Sequence, residues 1–419
     1  MKKMKFTSTL LALGLCTSLL SQTPIFAEEA AAAETAAADT SGSVSTNSIS
    51  GWPQASDISS EAAVIMENDT NTILYSKNAD EVLFPGSTVK IMTCLLALEN
   101  TQLTDEITMT ATGVSGVTDG GASISSQVDE VFTVEQCLYA VMLASANDIA
   151  LQIAEHVGGS VEGFVQMMND RATALGCTNT VFTNPTGLPD DNQHTTAHDM
   201  ALIMQAAIQN EAFRTIATAA SYTIPATNKA SARNLTSKFT MTDAGSTDFY
   251  EGCIGGKEGY TEASGSTLVC AAQRNGMTLI GVVLKGASGQ TIPDAASILN
   301  YGFDQFQQLS LGNDDFSIVS GGNVVIPVGS TADSLTYEDA QNGDTINRTY
   351  LFGGTAVGTA VLEIAQAEDT SIVQEGEKNM QAAKTFSEKH TYIPYFIIAG
   401  IFLILLILLI WRMVKVIKS

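Results

Sequence analysis

Hydrophobic and polar residues follow two different periods along the first three quarters of the chain. Short apolar runs typical of strands lie near both ends of this region, over residues 62–66, 72–75, 266–272 and 277–284. Apolar spacings of three and four residues predict helices over 88–99, 133–145, 148–156, 160–175, 196–208 and 293–306. The pattern therefore predicts an α+β domain, in which strands enclose a mainly helical middle. We place this domain at residues 55–308.

After residue 308 the pattern changes to short β segments separated by turn residues. These segments fall at 316–319, 323–328, 349–352 and 358–364. None of them is long enough or periodic enough to indicate a helix. We therefore expect a second, small all-β domain over residues 309–375.

The N-terminal residues have the composition of an export signal. Residues 1–27 combine a basic start, a short apolar core and a small residue, Ala27, at the expected cleavage position. Residues 28–54 are rich in Ala, Glu, Thr and Ser, with little to bury, which predicts a disordered spacer. We therefore expect an exported protein whose folded part begins after a flexible segment.

The C-terminal residues are typical of a membrane anchor. Residues 393–411 are almost uninterruptedly apolar, close to the ~20 residues that cross a bilayer. A polar stalk, 376–392, precedes this run, and a basic tail, 412–419, follows it. Because basic residues stay on the cytoplasmic side, we expect the body of the protein to lie on the outer, cell-wall side of the membrane.

Charge and cysteine usage exclude several classes of function. The chain of 419 residues has 20 Lys and Arg against 44 Asp and Glu, a formal net charge of −24. Such a charge repels phosphate, so no nucleic acid partner is expected. The five cysteines outside the N-terminal run form no C-x-x-C pair, so the sequence has no zinc or redox signature.

Candidate chemistry appears where the first predicted hairpin leads into a helix. Pro85 and Gly86 end the strand, so Ser87 falls at the helix N-terminus, among unpaired backbone N–H groups. Lys90 lies three residues on and shares one helix face with Ser87. An amine with a lowered pKa at this position can accept the serine proton. Taken alone, such a pair is more often an ordinary helix cap and a surface lysine than a catalytic pair.

Two further segments extend this pair into an ordered set. Ser145 and Asn147 form Ser-x-Asn at a break between predicted helices, and Lys257 and Gly259 form Lys-x-Gly before a strand. With Ser87-x-x-Lys90, the order and spacing resemble the penicillin-recognising serine enzymes. Over residues 55–375 the chain resembles the serine-type D-alanyl-D-alanine carboxypeptidases, the low-molecular-mass penicillin-binding proteins. The resemblance implies an antiparallel sheet with helices on both sides and a helical subdomain.

The resemblance also implies a role for each matching residue. Ser87 attacks the carbonyl between two terminal D-alanines and becomes acylated, and Lys90 accepts its proton. Ser145 relays a proton to the leaving amine. Asn147 binds the substrate peptide and orients Lys90, and Lys257 supplies positive charge for the terminal carboxylate.

The backbone completes the implied site. Gly259 and Tyr260 follow Lys257 on the substrate-binding strand, and the N–H groups of Ser87 and Tyr260 form an oxyanion hole. Water then hydrolyses the acyl-enzyme, and no metal or other cofactor is needed. The implied partners are the peptidoglycan pentapeptide as substrate and β-lactams as inhibitors. Residues 184–188 also resemble a loop of this family, to which we assign a scaffolding role.

Glu258 departs from the family pattern, which has Thr or Ser at this position. An ionised carboxylate cannot donate a hydrogen bond to a substrate carboxylate, and it repels one. Two alternatives to an active carboxypeptidase therefore remain open. One is a catalytically weak wall-binding or scaffold protein. The other is a β-lactamase, although the added β domain and anchor argue against it.

Overall fold

The computed structural model describes most of the chain between residues 43 and 417. The described residues are 43–117, 121–311, 318–363, 378, 380, 381, 384 and 393–417. The predicted signal peptide, the first part of the spacer, most of the stalk and the end of the tail lie outside these residues.

The main domain is built on a five-stranded antiparallel sheet with the order β2-β1-β9-β8-β7. Its first and last strands along the chain, β1 and β9, are direct neighbours, so the sheet joins the two ends of the domain. The remaining strands of this domain form two small antiparallel pairs, β3 with β4 and β5 with β6. In chain order the strands are β1 (Ala62–Glu67), β2 (Ile73–Lys77), β3 (Glu106–Thr108), β4 (Val131–Thr133), β5 (Ser221–Ile224), β6 (Arg233–Thr236), β7 (Cys253–Thr261), β8 (Gly265–Arg274) and β9 (Met277–Gly286).

Most helices lie between β2 and β7, as the hydrophobic pattern predicts. They are α1 (Lys90–Asn100), α2 (Ala111–Ser115), α3 (Val134–Leu143), α4 (Asn147–Gly158), α5 (Val161–Ala174), α6 (Ala197–Ile208), α7 (Glu211–Thr218) and, after β9, α8 (Thr291–Gln305). A capping box between Thr133 and Gln136 opens α3, as predicted. All residues of α1 from Lys90 to Ala97 are buried, because its sequence is apolar on every face.

Alternate residues of the sheet enter two hydrophobic cores. On β1, Val64 and Met66 pack with the helical section between β2 and β7, whereas Ala63 and Ile65 pack with residues of α8. Side chains of a strand point alternately to the two faces, so a strand covered on both faces is apolar throughout. This arrangement confirms the predicted α+β fold with helices on both sides of an antiparallel sheet.

The small β domain begins slightly earlier than its predicted start at residue 309. Its strands form a pair, β10 with β12, and a sheet with the order β11-β15-β14-β13. Their bounds are β10 (Phe306–Ser310), β11 (Ile318–Gly321), β12 (Asn323–Pro327), β13 (Thr336–Asn342), β14 (Thr345–Phe352) and β15 (Thr355–Glu363). The predicted boundary at 308/309 therefore falls inside β10, since α8 ends at Gln305 and Phe306 already pairs with Pro327.

The prediction of a disordered spacer through residue 54 is wrong for residues 43–54. A 3-10 turn, Ser45–Ser48, lies in this segment, and Val44 is buried. The Trp52 ring packs 5.0 Å from the Phe306 ring and 6.1 Å from the Phe352 ring, and its Nε1–H donates to the carbonyl of Leu74. The segment folds because this one large aromatic residue finds partners far away along the chain, which local composition does not reveal.

The predicted anchor forms one continuous helix, Ile393–Ile417. Residues Tyr395–Val414 within it have a mean hydropathy of 2.8, so this helix is long and apolar enough to cross a bilayer.

Candidate active site

Ser87 lies in a tight 3-10 turn, Gly86–Val89, directly before α1. We predicted Ser87 at the start of the α-helix itself, but α1 begins at Lys90. Gly86 has a φ of 56°, and a Cβ atom here would lie 2.9 Å from the Ser264 hydroxyl, so the turn requires glycine. The Pro85 carbonyl accepts hydrogen bonds from Thr88 Oγ1 and Thr267 Oγ1, which fasten the turn to β8.

Lys90 is fully buried, and its Nζ lies 3.2 Å from the Ser87 Oγ. It also donates a hydrogen bond to the carbonyl of Thr186. Burial holds the pKa of Lys90 well below its ordinary value, and the nearby charge of Lys257 lowers it further. These causes favour the neutral amine, whose lone pair can accept a proton from Ser87.

The loop over residues 184–188 holds this pair in place. The Asn184 side-chain oxygen accepts hydrogen bonds from the N–H groups of Thr186 and Gly187, at 3.1 and 2.9 Å. Thr93 on α1 donates to the Pro185 carbonyl at 2.7 Å. Gly187 has a φ of 80°, and any Cβ atom there would collide with the carbonyl of Gly86. The loop is thus more than a distant scaffold, because its Thr186 carbonyl touches Lys90.

Ser145 lies in the short gap between α3 and α4, and Asn147 directly follows this gap. Ser145 has a φ of 58°, a left-handed conformation that is uncommon for a residue other than glycine and that recurs at functional sites. Asn147 is the first residue of α4, and its backbone N–H donates to the Ala122 carbonyl. Its buried Oδ1 has no hydrogen-bond partner among the described residues. A buried acceptor of this kind is suited to an N–H group of a ligand.

Lys257 lies on β7 and is almost fully buried. Its Nζ donates to the Glu258 carbonyl at 2.8 Å. Burial lowers the pKa of Lys257 to about 8, although the neighbouring Glu258 charge acts in the opposite direction. Lys257 is therefore a cation whose charge is lost at moderately alkaline pH.

Gly259 is the point where β7 touches the nucleophile. A Cβ atom on Gly259 would lie 2.5 Å from the Ser87 backbone nitrogen. The Tyr260 side chain is 67% exposed. β7 is an edge strand, and the Thr261 N–H donates to Ser264 Oγ on the β8 side. Backbone N–H groups of a strand alternate in direction. The Tyr260 N–H therefore points away from β8, to the side of β7 that has no neighbouring strand in the sheet.

One cleft of about 600 Å³ brings the predicted site residues together. Ser87, Ser145, Asn147 and residues of β7 all line this cleft, and the buried Lys90 amine reaches it through its contact with Ser87. Two charged lining residues, Lys238 and Asp248, were not predicted, because neither belongs to a recognisable motif. The residues that line the cleft are Ser87, Gly121, Ala122, Ser145, Asn147, Gly187, Leu188, Lys238, Asp248, Lys257, Glu258, Gly259, Tyr260, Thr261, Ser266, Thr267, Ser288, Gly289, Thr291 and Ile292.

Comparison with known proteins identifies the family of this chain. The family model described as D-alanyl-D-alanine carboxypeptidase (peptidase S11) matches residues 50–288, more than half of the chain. The chain belongs to this family. The match includes all three motifs and confirms the family resemblance drawn from them.

Several relatives of this carboxypeptidase family are similar over the main domain. The D-alanyl-D-alanine carboxypeptidase DacF of Bacillus subtilis is 33% identical over 61% of this chain and 65% of its own length, just under two thirds. The D-alanyl-D-alanine carboxypeptidase of Streptomyces sp. K15 is 35% identical over 57% of this chain and 85% of its own. The crystal structure of the Streptomyces K15 DD-transpeptidase superposes with a TM-score of 0.56 at 32% identity, and covers 60% of this chain and all of that one.

The contact between Gly259 and Ser87 gives a first prediction. We expect Gly259→Ala to displace the Ser87 backbone and to slow acylation by penicillin about 100-fold, because small misplacements of reacting groups have effects of this size. The acylation rate is measured by incubation with fluorescent penicillin, with the reaction quenched at successive times. Gly245→Ala is the control, since its Cβ atom meets only the end of the Asp243 side chain, and it should acylate at the wild-type rate. Equal rates for both variants would contradict the assigned contact.

Proposed function

We propose that this protein is a penicillin-sensitive serine D,D-carboxypeptidase that removes the terminal D-alanine from peptidoglycan stem peptides. The observation that carries the proposal is the fully buried Lys90 amine, 3.2 Å from the Ser87 hydroxyl. A buried lysine without a carboxylate partner is costly to keep charged, and a neutral one beside a serine is a general base. The shared cleft with Ser145, Asn147 and Lys257 supports the same reading.

Acylation begins with transfer of the Ser87 hydroxyl proton to the Lys90 amine. The Ser87 oxygen then forms a bond to the carbonyl carbon between the two D-alanines, and the carbonyl oxygen gains a negative charge. The N–H groups of Ser87 and Tyr260 donate hydrogen bonds to this oxygen, which lowers the energy of the tetrahedral intermediate. When the carbon–nitrogen bond breaks, the terminal D-alanine needs a proton on its nitrogen.

Ser145 supplies that proton in the proposed mechanism. Ser145 lines the cleft, and its left-handed backbone lies in the gap between α3 and α4. Ser145 recovers a proton from Lys90, so the amine returns to its neutral form. Asn147 accepts a hydrogen bond from the substrate peptide through its unpaired Oδ1. Water, activated by the same Lys90, then hydrolyses the ester and releases the shortened peptide.

We also propose that the protein is exported and anchored through its C-terminal helix. The length and hydropathy of Tyr395–Val414 support an anchor. The predicted signal peptide at residues 1–27 and the basic residues after Trp411 support an outer position for the main domain. Such a position gives the cleft access to the peptide chains of the cell wall.

Covalent labelling of Ser87 tests the proposed function. We expect the protein to gain the mass of one penicillin on incubation, because β-lactam opening leaves an ester on the nucleophile. Ser87→Ala should gain none. Intact-protein mass spectrometry measures the adduct, and release of D-alanine from a D-Ala-D-Ala peptide measures turnover.

The same experiment separates the alternatives. No adduct and no D-alanine release in the wild type would favour the wall-binding or scaffold protein. Rapid release of hydrolysed penicillin, without a lasting adduct, would favour a β-lactamase.

The charge of Lys257 predicts the pH dependence of acylation. The rate should fall at high pH with a pKa of about 8, as Lys257 loses the proton that attracts the substrate carboxylate. Lys257→Arg should move this loss beyond about pH 10, since arginine stays charged there. The rate should also fall at acidic pH, where Lys90 gains a proton. Penicillin acylation rates from pH 5 to pH 10 provide the measurement.

Lys229→Arg is the matched control for this pH profile, because Lys229 is a surface lysine that does not line the cleft. It should keep the wild-type alkaline limb. An unchanged alkaline limb in Lys257→Arg would show that another group is responsible.

A further inference from the structure

Asp148 is a buried carboxylate to which the proposed mechanism gives no role. It is the second residue of α4, directly after Asn147, and only 1% of it is exposed. A buried carboxylate is costly unless hydrogen bonds satisfy it. The donors that satisfy Asp148 all come from one stretch of backbone before β4, residues 123–126. We call residues 121–126 the 121–126 segment.

Four hydrogen bonds join Asp148 to the 121–126 segment. Its Oδ2 accepts from the Ser123 hydroxyl at 2.7 Å, and from the hydroxyl and the N–H of Ser126 at 2.8 and 3.1 Å. Its Oδ1 accepts from the Ile124 N–H at 3.4 Å. Hydrogen bonds to an ionised acceptor are stronger than those between neutral groups, so this set fixes the segment against α4.

The same segment reaches both the cleft and Asn147. Gly121 and Ala122 line the cleft, and the Ala122 carbonyl accepts from the Asn147 N–H at 2.7 Å. Asn147 and Asp148 thus bind two consecutive residues of the segment. This double attachment restricts the backbone of Asn147, whose buried Oδ1 has no hydrogen-bond partner within the described part of the chain.

We propose that Asp148 is a positioning residue, which fixes Asn147 through the 121–126 segment at the place where Asn147 binds the substrate peptide. This inference rests on the proposed function, because it concerns the same acylation of Ser87. Asp148 does not line the cleft, so it acts through the residues that it holds. Loss of its hydrogen bonds lets the Ala122 carbonyl and Asn147 move, and a misplaced binding group slows the reaction strongly.

Replacement of Asp148 in the full-length protein tests the inference. Asp148→Asn keeps the size of the side chain but replaces one accepting oxygen by a donating NH₂ group. It should slow acylation by fluorescent penicillin at least tenfold, measured with the reaction quenched at successive times. The final mass gain should still be one penicillin, because Ser87 and Lys90 are unchanged. Asp148→Ala should slow acylation further, and the Asn variant decides the test if the Ala variant does not fold.

Asp199→Asn is the matched control. Asp199 is also 1% exposed, lies in the first turn of α6 and fixes a neighbouring stretch of backbone, residues 178–180. It accepts from the N–H groups of Thr178 and Asn179 and from the Thr180 hydroxyl, at 2.7–3.2 Å. Because it does not line the cleft, D199N should lower the Tm about as much as D148N but acylate at the wild-type rate.

Two results of this comparison would overturn the inference. If D199N slows acylation as strongly as D148N, the loss of a buried hydrogen-bond network explains both effects. If D148N is acylated at the wild-type rate, Asn147 does not need Asp148 to hold its position.

A double-mutant cycle tests whether Asp148 acts through Asn147. In the Asn147→Ala background, Asp148→Asn should slow acylation less than threefold, because the side chain that it positions is already absent. A full tenfold loss in this background would show that Asp148 acts independently of Asn147, which contradicts the inference.

The outcomes distinguish the two proposals. A wild type that is acylated by penicillin at Ser87, together with a D148N variant that is equally fast, keeps the proposed function and overturns this inference. A wild type that forms no adduct and releases no D-alanine overturns both.

Discussion

The burial of one amine beside one hydroxyl is the constraint on which the site depends. Lys90 has no exposed surface, and within the described part of the chain its amine donates hydrogen bonds to the Ser87 oxygen and the Thr186 carbonyl. An ammonium ion without a counter-ion is unstable in such surroundings, whereas a neutral amine with one acceptor and one hydroxyl is satisfied. The positive charge of Lys257 acts in the same direction. The fold therefore favours the neutral amine, and in the proposed mechanism this amine accepts the proton of the Ser87 hydroxyl.

Distant parts of the chain must meet to maintain that burial. Residues of α1 are buried along most of the helix, and Thr93 in its first turn donates to the 184–188 loop. Gly187 of that loop lies against Gly86, just before the helix. On the other side, β7 approaches so closely that only a glycine fits at position 259. The site is thus a junction of a buried helix, a constrained loop and a sheet edge. Displacement of any of the three would expose Lys90 to water and raise its pKa toward the ordinary value.

Much of this arrangement could be predicted from the sequence, because motifs and hydrophobic periods are local properties. The three motifs predicted residues that the structure brings into one cleft, and the apolar runs predicted the sheet and most helices. Contacts between distant segments could not be predicted in the same way. Residues 43–54 adopt a defined structure because Trp52 packs against Phe306, which is distant in the sequence. The hydrogen bond from Lys90 to the Thr186 carbonyl likewise joins residues that only the fold brings together. Strand β13 was missed because its residues are polar and exposed.

The ionisation of Lys90 itself is the most direct test. In protein labelled with ¹³C and ¹⁵N at lysine, the Lys90 ε-carbon and ζ-nitrogen shifts, assigned by comparison with Lys90→Arg, report its protonation as pH is varied. The account predicts that Lys90 carries a neutral amine at pH 7 and titrates well below the ordinary lysine value. A Lys90 that stays charged at pH 7 and titrates near the ordinary value of about 10.4 would contradict it.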